Sequence, residues 1–167
     1  MSSLMDNKSS LIKDSKNYGR WLFFLLLIFC FRVSAQLIQL FFPVSFLPPF
    51  EAWHSRALPY WLLVVFQVII ILVFSGFVFR FYTGKETPAR KLGKIYLSVG
   101  IPYFCIMIFR LAAGTAFASD HSWFGARIPT LFHLPLASFI ILIGHFHYRF
   151  GHREIKWKAK VKQQAKR

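Results

Sequence analysis

Polar side chains stand at six points in stretches otherwise fit for the interior of a lipid bilayer: Arg32, Gln36, Gln39, Gln67, Arg110 and His133. Arginine presents a rigid fork of donors that matches a carboxylate or a phosphate. Glutamine amides hydrogen-bond between membrane helices, and a histidine transfers protons or ligates metal. The set therefore suits capture of an anionic group, structural hydrogen bonding, or acid/base work at His133. Residues 32, 36 and 39 recur at i, i+4 and i+7, which places them in one stripe on one helix face. The stretches that carry these residues contain no Asp or Glu, so the two arginines lack a counter-ion nearby. Unpaired buried charge is expensive. Three sources of negative charge stay open: Glu51 folding inward from a Pro- and aromatic-rich connection, an anionic ligand such as a lipid phosphate or a carboxylate, or an acid from a partner subunit. Arg110 has a further solution in snorkelling along its own stem, whereas Arg32 lies too near the centre for that.

Other chemistry finds less support. A bis-histidine haem needs a second His at matching depth on a facing helix, and no other span has one; His145 and His147 lie near the far end of the helix that carries His133. Glu51, His54, Asp120 and His121 are metal-ligating types, but their spacing fits no metal motif and they read as solvated loop residues. Cys30 and Cys105 point away from the polar stripe by helical geometry and read as small packing residues. No metal and no cofactor is expected.

The elements that hold these residues follow from composition. The chain has 167 residues, 56% of them hydrophobic, including 21 Phe. That exceeds the range of soluble domains, and the apolar residues come in long runs. Disorder and a disulfide scaffold are excluded, the latter by a count of only 2 Cys. A helix crosses the hydrocarbon core with about 20 apolar residues. Four stretches meet that need, at about 21–42, 59–82, 95–117 and 128–148. The prediction is an all-α integral membrane protein, a four-transmembrane-helix bundle forming a single membrane domain. Pro59 and Pro129 fall where a helix start tolerates a missing N–H. Pro102 and Pro135 lie inside spans, where kinks are expected. Gly100, Gly114 and Gly144 suit close helix contact.

The formal charge of +15 comes from 21 Lys and Arg against 6 Asp and Glu. It concentrates in residues 1–20, in the connection holding Arg80 to Lys94, and in the tail 149–167. The first and third connections hold only Arg56 and Arg127. The positive-inside rule then places both termini in the cytoplasm. A signal peptide competes for the N-terminus, but Arg32 interrupts the approach to Val33-Ser34-Ala35 and apolar residues resume at once. Trp53, Trp61 and Trp123 suit an interfacial aromatic belt. The basic tail reads as a contact with anionic lipid rather than with nucleic acid.

With a rise of about 1.5 Å per residue, counting inward from the distal end puts His133, Gln36, Arg110 and Gln67 at ~8–12 Å and Arg32 at ~15 Å. All four spans therefore contribute to one polar layer in the outer half. Two functions follow. The first is a non-catalytic protein, either an accessory or assembly subunit or a binder of a lipid-like or anionic small molecule. The second is a small membrane enzyme acting on a lipid or quinone, with His133 as acid/base. Partners on either reading are membrane lipids, with a partner subunit or a homo-oligomer left open. A bacterial inner membrane and a eukaryotic endomembrane fit equally.

Overall fold

The structure is a computed structural model that describes residues 2–53, 59–116 and 127–164. Its elements are helices: α1 (Ser2–Phe41), α2 (Phe50–Trp53), α3 (Tyr60–Tyr82), α4 (Arg90–Ala116) and α5 (Arg127–Gln164). Among the described residues, four of these are long and apolar enough to cross a membrane: α1, α3, α4 and α5. Helix α1 has 40 residues and α5 has 38, so both run past the apolar stretches into the basic segments at the chain ends. Lys, Gln and Ala are good helix formers, and nothing in those segments stops a helix once begun.

Helices α1 and α3 form one antiparallel hairpin, α4 and α5 another, and α1 packs on α5 to join them. The backbones of α3 and α5 do not approach each other, and aromatic rings fill the distance. Phe74 stacks on Phe139 with centroids 3.7 Å apart, and Phe81 meets Phe146 edge-on at 4.8 Å. Leu22, Leu26, Val78, Ile143 and Phe150 complete this core. Along α1 the buried positions are 15, 19, 22, 26, 29, 32, 33, 35, 36 and 39, mostly three or four apart. The polar stripe 32/36/39 thus continues the face that carries the apolar core lower down.

The α4/α5 pair depends on glycine. A Cβ on Gly93 would lie 2.3 Å from the Tyr148 nitrogen, and one on Gly151 would lie 2.4 Å from the Arg90 nitrogen. Gly100 faces Ile141 and Gly144 faces Leu97 in the same manner. Glycines 93 and 100, and 144 and 151, repeat every seven residues, the period that keeps one seam in contact along two nearly antiparallel helices. Pro102 and Pro135 lie within these two helices, which continue through them.

Large apolar side chains cover the outside. Leu72 is 66% exposed and Phe109 67% exposed, with many neighbours on α3 and α4 like them. Contiguous apolar surface of this extent marks a face that contacts lipid or another protein.

Candidate functional site

The distal end of the bundle, away from the chain termini, gathers most of the predicted polar residues. Arg32 and Gln36 come from α1, Gln67 from α3 and His133 from α5. Gln67 Nε2 donates to Gln36 Oε1 at 3.1 Å, a bond between two side chains that are 3% and 0% exposed. Arg32 donates from Nη2 to the backbone carbonyl of Trp53 at 3.3 Å, and its guanidinium lies 5.9 Å from the Phe132 ring centroid. Trp53 is buried, stacks on Phe132 and donates from Nε1 to the Pro48 carbonyl at 2.9 Å. The short helix α2 thereby roofs this end of the bundle.

Beneath the roof lies a cavity of about 90 Å³. Arg32, Gln67 and His133 provide its polar wall, and Phe29, Phe66 and Leu136 are among its apolar walls. Buried Arg32 Nε, on a lining residue, has no hydrogen-bond partner, and neither has Nε2 of Gln36, which is bonded to the lining Gln67 without being in the lining itself. Such atoms carry a desolvation cost of about 1–3 kcal/mol, more for a charged group. Among the described residues, no carboxylate lines the cavity. The described wall therefore carries one cation, Arg32, whose unsatisfied Nε is a donor.

His133 Nδ1 lies 2.7 Å from Tyr103 Oη on α4. Arg110, on the same helix as Tyr103, is 4% exposed. Tyr103 and Arg110 are seven residues apart on α4 and so share a helix face. The second arginine is not one of the cavity's lining residues; Tyr103, on its helix face, meets the lining His133. Gln39 has a local role: its Oε1 accepts from the Val44 N–H at 3.1 Å and satisfies the chain as it leaves α1. The side chain of Glu51 lies outside the described residues, as do His54, Asp120, His121 and Trp123. Cys30 packs against the core as expected, whereas Cys105, read from the sequence as a packing residue, is exposed on the outer surface.

Sequence reasoning missed a second polar cluster, at the basic end. Glu86, in the α3–α4 connection, forms an ion pair with Arg80, Oε2 to Nε 2.7 Å, and its Oε1 lies 3.4 Å from His147 Nε2. The Ala89 N–H donates to His147 Nδ1 at 3.1 Å. A backbone N–H only donates, so Nδ1 is unprotonated and the ring proton sits on Nε2, facing Glu86. Both ring nitrogens are thus engaged in holding the connection against α5. Gly84 makes the turn with φ +65° and packs on Ile12 of α1, while Ser15 donates to the Phe81 carbonyl at 3.0 Å. The only signal in the sequence was an isolated acid in a basic connection.

No family model matches the chain, and neither a curated protein nor a solved structure shows significant similarity to it.

Proposed function

We propose that the chain is an integral membrane protein of four spans, with both termini and the α3–α4 connection in the cytoplasm, that binds a lipid-like or anionic small molecule in the Arg32 cavity without chemically altering it. The observation that carries this is Arg32 itself: a guanidinium 7% exposed, facing a cavity, with Nε unpartnered and no carboxylate among the described lining residues. An arginine in the bilayer interior costs about 2.5–3.5 kcal/mol on insertion scales. A ligand oxygen on Nε offsets part of that cost, and binding by the folded state raises stability by mass action. Binding without chemistry is the work of an accessory or carrier subunit. The charge distribution supports the orientation, because the basic end holds nearly all the Lys and Arg.

The test is thermal melting of the detergent-solubilised protein with and without a polar extract of its native membrane. The wild type gains stability on addition and Arg32→Leu does not. Equal gains in both would remove the proposal.

A second reading has one observation in its favour. The Tyr103–His133 pair, 2.7 Å apart beside the cavity, has the geometry of an acid/base relay. On that reading His133→Ala abolishes turnover of a bound lipid or quinone, and unchanged turnover would discard it.

A further inference from the structure

The cavity has a floor, a roof and one side that is only partly walled. Its floor is the Phe74–Phe139 stack at 3.7 Å, one turn beyond Ile70 and Leu136 in the lining. Its roof is Trp53, 4% exposed and fixed by Pro48, Phe132 and Arg32. Between α3 and α5 the backbones stand apart, and the cavity is bordered there by side chains alone. Phe66, at that border, is 48% exposed, and Leu63 and Ile70 are half-buried. Among the described residues, the path to the cavity is therefore sideways, from the apolar surface, past Leu63, Phe66 and Ile70. Among the described residues, the roofed end is covered by the Trp53 indole.

Size decides what enters. Sites that enclose whole drug-sized ligands run to roughly 300–1,000 Å³, and this cavity has about 90 Å³. It accommodates a small head group and excludes the rest of a lipid. Charge decides the head group: Arg32 is cationic and lines the cavity with a buried Nε that has no hydrogen-bond partner, and the Gln36 amide bonded to the lining Gln67 also has an Nε2 without one. Exchanging the amide O and N of the Gln36–Gln67 pair still leaves one amide N–H₂ with a hydrogen unused, so the need for an acceptor does not depend on that assignment.

We infer that the ligand is an anionic amphiphile whose phosphate or carboxylate head enters between α3 and α5 to sit on Arg32, while its hydrocarbon chain stays in the gap between those helices over Leu63, Phe66 and Leu136. This rests on the binding function proposed above and adds the ligand's class, its direction of approach and its posture. A free aqueous anion is the competing source of the same head-group chemistry. It differs in having no chain and in needing a route through the roof.

The test uses the full-length protein in phosphatidylcholine nanodiscs and follows its melting temperature with decyl phosphate, butyl phosphate, inorganic phosphate and decanol. Decyl phosphate gives a saturable upward shift. Butyl phosphate and inorganic phosphate give at most a tenth of its effect at equal concentration, and decanol gives none. Leu63→Trp, which fills the lateral gap, abolishes the decyl phosphate shift, as does Arg32→Leu. Equal shifts with inorganic phosphate and decyl phosphate, both lost in Arg32→Leu, would overturn the amphiphile inference while leaving anion binding at Arg32 intact. A decanol shift equal to that of decyl phosphate, or a decyl phosphate shift that survives Arg32→Leu, would overturn both. Should Leu63→Trp fail to fold, the series from butyl through hexyl and octyl to decyl phosphate decides: affinity independent of chain length contradicts a chain held in the gap.

Discussion

Arg32 on α1 donates to the carbonyl of Trp53, 21 positions along the chain, at 3.3 Å, and this one bond ties the α1–α3 connection to the charged wall of the cavity. The same side chain thus holds the roof with Nη2 and offers Nε to the space beneath. Structure and the proposed binding meet in one guanidinium, and the variants below separate the two.

Arg32→Leu removes a buried charge together with its unsatisfied donor. Replacing buried ionic groups with apolar ones of similar volume is often neutral or stabilising by about 1–4 kcal/mol. Without added ligand, the variant is expected to melt at or above the wild-type temperature. Its failure to respond to lipid extract is the loss. A large drop in the ligand-free melting temperature would show that the Trp53 bond, rather than ligand, accounts for the residue.

The Gln36–Gln67 pair predicts non-additivity. Either single change to Leu leaves the other amide buried without its partner, whereas the double change leaves none. Pairs of this kind couple by roughly 0.6 kcal/mol, and at most about 1.7, in membrane helices. A double-mutant cycle in denaturing detergent should return a coupling within that range, and strictly additive losses would contradict the bond.

Glycine substitutions should divide sharply. Gly93→Ala places a methyl 2.3 Å from the Tyr148 nitrogen, a backbone atom that cannot step aside. Separating α4 from α5 is expected to cost about 1–3 kcal/mol or more. Gly76 on α3 has open space on its outer side, with nothing within 4 Å of where a Cβ would stand. Gly76→Ala should therefore be neutral or gain up to about 1 kcal/mol from helix propensity. Thermal melts of the two variants, measured side by side, check the contrast.

The clamp at the basic end predicts protease sensitivity. Lys85 is exposed within a connection that Glu86 and His147 hold in place. Arg80 is 57% exposed, so its ion pair with Glu86 contributes little by itself. The backbone bond from Ala89 to His147 is the stronger constraint. His147→Ala should speed tryptic cleavage after Lys85 by several-fold, and Arg80→Gln should change it little. Equal acceleration in both would place the hold in the ion pair instead.

The spans, the i, i+4, i+7 stripe and the meeting of Arg32, Gln36, Gln67 and His133 were legible because a polar residue in an apolar run has few places to go. Tyr103 was legible in principle, since it shares a face with Arg110, but a tyrosine does not stand out among apolar neighbours as an arginine does. Trp53 read as an interfacial anchor. Its second role depends on how α2 folds back over the bundle, and no local pattern encodes that. Gly100 and Gly144 were recognisable inside the apolar runs. Gly93 and Gly151 continue the same seven-residue seam beyond the end of those runs, where helices persist but hydropathy no longer marks them. Cys105, expected to pack, is exposed because the α4 face opposite the glycine seam points outward. The Glu86–His147 contact joins positions 61 apart, a distance over which sequence spacing carries no geometric information.

Native mass spectrometry of the gently extracted protein, wild type beside Arg32→Leu, tests the binding function most directly. The wild type is expected to retain an anionic amphiphile at one copy per chain, and the variant to fly without it. Identical adducts on both proteins, or a wild type free of any adduct when its membrane lipids are supplied in excess, would contradict it.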